Sequence, residues 1–144
     1  DKPEATQAAV WRDPRGRAFI RSGDVGRIDA DGFLYILDRK KDMIISGGLN
    51  IYPADIEATV GAHPDVMDVS VIGFEHEKWG ETPVAFVVLK AGCETNPEAI
   101  LEWSNAQLAK HQRLSSVRLL DSLPRNALGK VLKRDLRLEY SGAA

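Results

Sequence analysis

Apolar and polar positions alternate weakly over residues 1–22, where Trp11, Phe19 and Ile20 are scattered among Gly, Pro and charged residues. That segment predicts little regular structure and suits a stretch that packs on a larger body. From Arg27 the pattern sharpens. Asp31-Gly32 separates Ile28 from FLYIL (33–37), a hairpin signal because Gly permits the positive φ of a tight turn. The charged run DRKKD (38–42) precedes a short strand, MIIS (43–46), which Gly47-Gly48 ends. Pro53 opens a helix to about Ala62, with Asp55 and Glu57 in the first turn and Ile56 and Val60 on its buried face. DVSVIGF (68–74) and PVAFVVL (83–89) predict adjacent strands. Asn96-Pro97-Glu98 caps a helix to about Gln112, with Ile100, Leu101, Ser104 and Leu108 on one side. A last strand, VRLLD (117–121), leads to a polar helical tail, VLKRDLRLEY. The order predicts an α+β fold: a two-stranded hairpin and a roughly three-stranded sheet, with two helices able to cover one face.

Composition narrows the class. The 144 residues suffice for one ordinary domain or a small domain with part of another. Nineteen Lys and Arg against 21 Asp and Glu give a net charge of -2, without the clustered basic excess of a nucleic-acid binder. The single Cys93 and three scattered histidines predict neither an internal disulfide nor a metal site, and favour a reducing, cytoplasmic setting. No apolar run reaches the roughly 18 residues of a membrane span. DKPEATQAAV lacks a signal-peptide pattern, and the missing initial Met suits a piece of something longer.

Several residues could carry chemistry. Lys130 follows Gly129 in LPRNALGK, where Pro124 and Gly129 discourage regular structure; a lysine on such a loop can deliver a compact cation to an oxyanion or phosphate, or lie solvated on the surface. Gly47 and Gly48 could form an anion nest, a plain turn, or a backbone against which a ligand chain slides. The spacing of a P-loop is absent. Asp24, after Ser22-Gly23, could accept both hydroxyls of a ribose or cap a turn. Arg39 could hold a phosphate or ribose, or face solvent. Trp79, between Lys78 and Gly80, could pack locally or stack on a ligand.

Taken in order, SGD (22–24), GRID-DG-FLYILDRKKDMIISGGLNIYPADIE (26–57), HPDV (63–66), KWGETPVAFVV (78–88) and LPRNALGKVLKR (123–134) resemble the adenylate-forming enzymes. That superfamily includes acyl-CoA synthetases, firefly-type luciferases and peptide-synthetase adenylation domains. The resemblance implies that residues 1–40 end a large N-terminal domain and that 41–144 form a mobile C-terminal lid domain. It implies a carboxylate attacking the α-phosphate of ATP to give acyl-AMP, a thiol then displacing AMP, and rotation of the small domain between the steps. By the same resemblance Asp24 binds ribose, Arg39 contacts the nucleotide, Lys41 is the hinge, and Lys130 neutralises charge during adenylation. Gly47 and Gly48 line the pantetheine tunnel, while Trp79 and Arg113, with His111 and Arg118 as neighbours, meet the nucleotide end of CoA.

The implied reactants are a carboxylic acid, ATP with Mg²⁺ held mainly by a domain absent from this sequence, and CoA. The ending GKVLKRDLR and the run LDRKKDMIISGGLNIYPADIE resemble fatty-acyl CoA ligases more than peptide-synthetase adenylation domains. A carrier-protein thiol is the alternative acceptor, and a non-catalytic binding or regulatory module the alternative role. Resemblance also suggests a protein acetyltransferase acting on Lys130.

Overall fold

PVAFVVL becomes the central strand of the larger of two units in the computed structural model, which describes residues 2–140. The units are Asp1–Lys41 and Asp42–Ala144.

The first unit contains α1 (Pro3–Ala9), β1 (Val10–Arg12), β2 (Ala18–Ile20), β3 (Asp24–Ile28) and β4 (Leu34–Arg39). More regular structure is present than residues 1–22 predict: α1 starts on Pro3, and β1 and β2 pair as an antiparallel hairpin. Asp13 organises that hairpin, its Oδ1 accepting the Arg15 and Arg17 N–H groups at 2.9 Å each. Such elements are too short to show a period. The predicted second hairpin pairs β3 with β4, and its turn is built on Asp29, whose Oδ1 accepts the N–H groups of Asp31 and Phe33. No described residue of this unit is buried. Ile28, Leu34 and Ile36 are each more than 60% exposed, as expected of isolated two-stranded ribbons.

The second unit runs β5 (Ile44–Ser46), β6 (Leu49–Ile51), α2 (Pro53–Gly61), β7 (Val66–His76), β8 (Gly80–Leu89), α3 (Pro97–Gln107), β9 (Ser116–Leu119) and α4 (Lys133–Tyr140). β7 and β8 form a long antiparallel ribbon, from Val66↔Leu89 to His76↔Gly80. β9 lies parallel to β8 over Val84↔Ser116 to Val87↔Leu119, completing the three-stranded body. β5 joins β8 through the single pair Ser46↔Gly80 and brings with it β6, a strand not anticipated. Gly47 and Gly48 do more than end a strand. Both have positive φ, +57° and +80°, the requirement of a two-residue type I′ hairpin loop.

Successive residues of β8 point to opposite faces. Ala85 and Val87 pack with Ile56 and Val60 of α2, Ile100 of α3, Val71 and Val117. Val84, Phe86 and Val88 pack with Ile72, Leu123 and Leu136 of α4. Helices therefore cover both faces, and the polar tail is amphipathic: Leu136 is fully buried, and the Tyr140 ring lies 4.9 Å from that of Phe86. A strand apolar on both sides requires cover on both.

Two helix details differ from expectation. α3 stops at Gln107 because Leu108 is extended, and a 3-10 turn, Lys110–Gln112, follows. Asn96 caps α3 as expected, accepting the Ala99 N–H at 2.8 Å. Glu57 reaches across rather than serving the first turn of α2, accepting the Val71 N–H and the Lys133 ammonium, both at 2.8 Å.

Candidate functional site

In the first unit, Asp24 and Arg39 are register partners at one end of the β3–β4 hairpin. Arg39 Nε donates to Asp24 Oδ1 at 2.8 Å. Gly23, with φ +80°, turns the chain into β3, and the Asp24 N–H reaches Ser22 Oγ at 3.2 Å. Two sequence-predicted residues thus meet as an ion pair. Lys41, exposed, is the last residue of the unit.

In the second unit, the glycine turn between β5 and β6 lies against Trp79. Gly47 N–H donates to the Trp79 carbonyl at 2.8 Å, and a Cβ on Gly47 would stand 3.2 Å from Trp79 Cε3. A Cβ on Gly48 would meet nothing within 4 Å. Glu81 helps to hold β5 in place by accepting the Ile45 N–H at 2.8 Å. The half-exposed indole carries the Lys78 ammonium 4.7 Å from its ring centroid.

Beside this turn is a groove of about 440 Å³ with Gly47, Leu49, Trp79 and Pro83 among its lining, and Lys110, His111 and Arg113 also lining it. Gly47, Trp79, His111 and Arg113, scattered along the chain, converge here. Lys110 joins them although the sequence pattern does not single it out; it becomes visible only once α3 ends early and the 3-10 turn points back. Arg118 does not join. It lies on β9 beside Phe86 and packs on the Tyr140 ring at 5.6 Å, on the α4 face. The groove combines an aromatic and aliphatic wall with cations, a surface suited to a flat heterocycle carrying phosphates.

Lys130 sits elsewhere, in a closed turn rather than an open loop. Arg125 and Val131 form an antiparallel bridge. Within it the Asn126 N–H donates to the Lys130 carbonyl, and the Gly129 N–H to the Asn126 carbonyl, both at 2.9 Å. Asn126 Oδ1 accepts the N–H groups of Leu128 and Lys130 at 3.0 Å each. Gly129 takes φ +79° to close the turn, and Lys130 is exposed. Arg125 fastens the turn to β7 through Asp68.

The turn and the groove are anchored at opposite ends of the β7–β8 ribbon. Asp68 pairs with Val88, whereas Gly80 pairs with His76 and with Ser46 of β5. At about 3.3 Å per residue, the anchors are separated by roughly 26 Å.

Asp65 and Cys93 meet just beyond the Val66–Leu89 end of the ribbon, where the Lys90 N–H donates to the Asp65 carbonyl at 2.8 Å. Asp65 is held below its ordinary pKa first by the Thr95 hydroxyl and then by the Cys93 thiol. Burial, and then the Asp65 carboxylate, push the Cys93 thiol up, so it is a poor nucleophile. No group of three or more His, Cys, Asp or Glu among the described residues is placed to hold a metal, so these residues do not by themselves fit Mg²⁺. No described helix is long and apolar enough to cross a membrane.

Comparison with known proteins gives this arrangement a context. The sequence model of the AMP-binding enzyme C-terminal domain matches residues 55–130. A 2-succinylbenzoate–CoA ligase of Geobacillus kaustophilus is 46% identical over 136 residues, 94% of this chain and 27% of that protein. The long-chain-fatty-acid–CoA ligase FadD13 of Mycobacterium tuberculosis is 45% identical over 141 residues, covering 98% of this chain and 27% of the ligase. Among solved structures, ATP-bound MatB from Rhodopseudomonas palustris superposes with a TM-score of 0.85 at 39% identity, over 98% of this chain and 27% of that one. The chain spans about a quarter of the length of the curated relatives it matches.

Proposed function

The chain belongs to the AMP-binding enzyme C-terminal domain family, and we propose that it is the C-terminal part of an ATP-dependent acid–CoA ligase. The observation that carries this reading is the separation of an exposed lysine turn from an aromatic, cationic groove at opposite ends of one ribbon. In the first step a carboxylate oxygen bonds to the α-phosphorus of ATP, and pyrophosphate leaves with the electron pair of the broken P–O bond. In the second, the CoA thiolate bonds to the acyl carbon and AMP leaves.

Each end suits one step. Lys130 places its ammonium between the carboxylate and the α-phosphate, where negative charge must be brought together. Asp24 accepts the ribose hydroxyls, and Arg39, already beside it, contacts the nucleotide. For the second step the domain turns about Lys41. Gly47 and Gly48 let pantetheine pass along bare backbone, Trp79 meets the nucleotide end of CoA, and Arg113, with Lys110 and His111, its phosphates. The remaining parts, including the acyl pocket and the Mg²⁺ ligands, belong to a preceding domain; the exposed Ile28, Leu34 and Ile36 support such a neighbour. A fatty acid in the cytoplasm is the substrate favoured by the resemblance to fatty-acyl ligases and by the FadD13 relative. The exposed Lys130 is also open to acetylation by a protein acetyltransferase, which would remove the charge that adenylation uses; mass spectrometry of cellular protein finding it always unmodified would exclude this.

The test is a pyrophosphate-release screen of the full-length protein across fatty acids and 2-succinylbenzoate, with free CoA and a phosphopantetheinyl carrier competing as acceptors. Acid-dependent pyrophosphate release with CoA preferred supports the reading. Preference for the carrier would move the enzyme to the adenylation-domain branch, and no acid-dependent release would leave the role of a binding module.

A further inference from the structure

A lysine side chain that must meet a transition state has two sources of disorder, its own four-carbon stem and the backbone that carries it. Only the second can be removed without touching the ammonium. In this molecule both backbone polar groups of Lys130 are held. Its N–H donates to Asn126 Oδ1 at 3.0 Å, and its carbonyl accepts the Asn126 N–H at 2.9 Å. The preceding carbonyl, that of Gly129, accepts from Arg125 Nη1. Arg125 Nη2 donates to Asp68 Oδ2 on β7, 57 positions away in sequence.

One guanidinium therefore ties the turn to the most extensive strand pair of the domain. The arrangement also sorts the charges. Asp68 neutralises Arg125, so the turn presents the Lys130 ammonium as its outward cation.

We infer that Asn126, Arg125 and Asp68 are positioning residues for Lys130, fixing where its ammonium is delivered in the adenylation half-reaction. This rests on the reading of Lys130 given above. Asn126 sets the shape of the turn, and the Arg125–Asp68 pair sets its placement on the sheet. None of the three needs to touch the reactants. Loss of any of them leaves the charge present but spread over more positions, which lowers turnover in the step that uses it. The groove at the far end of the ribbon is untouched, so the second step proceeds.

The experiment uses the full-length ligase and measures two rates separately: pyrophosphate release without CoA at saturating ATP and acid, and thioester formation from supplied acyl-AMP and CoA. Asn126→Ala and Asp68→Ala are expected to lower the first rate about tenfold, with KM for ATP and the second rate within about twofold of the parent. Asp68→Asn, whose amide oxygen still accepts from Arg125, is expected to recover most of the loss. Equal losses in both rates, or no loss in either, would overturn the inference, as would failure of Asp68→Asn to outperform Asp68→Ala. Lys130→Ala run in parallel separates the two levels of the argument. If it leaves pyrophosphate release intact, the reading of Lys130 fails and the inference with it. If it abolishes release while Asn126→Ala and Asp68→Ala do not impair it, the positioning inference alone fails.

Discussion

The turn that carries Lys130 and the turn made by Gly47 and Gly48 are both tight, and they are built in opposite ways. At Lys130 the backbone wraps around a carboxamide, with Asn126 Oδ1 accepting two N–H groups, and a long cationic side chain projects. At Gly47 no side chain projects at all. The backbone lies against an indole at a distance where even a methyl group would crowd it. Under the proposed function the first construction serves to deliver charge to a point, and the second to clear a path beside an aromatic wall. If the domain serves two chemical steps as proposed, it gains from keeping these at opposite ends of the β7–β8 ribbon, because changes at one end need not disturb the other.

The largest expected effect breaks the first end alone. Lys130→Ala should lower pyrophosphate release by about 10²–10³-fold, the range seen when one preorganised donor is removed from a developing anion. Thioester formation from supplied acyl-AMP should stay within a few-fold. Comparable losses in both assays would dissolve the division of labour.

A second substitution attacks what the two ends share. Leu136 is fully buried against the α4 face of β8, so Leu136→Ala should destabilise the domain by about 2–5 kcal/mol. The denaturant midpoint would fall, and both half-reactions would decline together. Selective loss of one would show that the ribbon does not couple them.

The third breaks the other end. Gly47→Ala places a Cβ 3.2 Å from Trp79 Cε3 at a φ of +57°, a conformation costing an L-residue about 1–2 kcal/mol. Thioester formation should fall about tenfold with a raised KM for CoA, while pyrophosphate release is unchanged.

The smallest effect concerns neither turn and serves as the control. Asp65 is held below its ordinary pKa by Thr95 and Cys93. A depressed folded-state pKa stabilises the fold above the unfolded value, and that stability is lost as pH falls through the folded one. Thr95→Val weakens the depression, so acid unfolding followed by tryptophan fluorescence should begin at a slightly higher pH. Both half-reactions near neutrality should keep their ratio.

Much of the second unit was legible along the chain. The Asn96 cap, the start of α2 at Pro53 and the pairing of β7 with β8 follow from local chemistry and alternation. The first hairpin and α1 were not, since three-residue strands carry no period. β6 was signalled by Gly47-Gly48 between apolar residues, but three residues of LNI made a weak strand. The cover of α4 was signalled too, by the unbroken apolar run of β8, which has no solvent face.

The individual candidate residues were legible as chemistry: a lysine after a glycine, paired glycines, an acid after a Ser-Gly turn. Those are short-range features, and a sequence by itself determines them because turn and cap preferences act over a few residues. Convergence is different. That Lys110, His111 and Arg113 line one groove with Trp79 and Gly47 depends on where α3 ends and how the 3-10 turn runs back, whereas the placement of Arg118 on the α4 face and the anchoring of Arg125 by Asp68 are matters of strand register. A shift of one residue in β9 or β7 would reverse the last two. Only the packing of helices on both faces of β8 selects that register, so only the tertiary structure decided which of the legible residues meet.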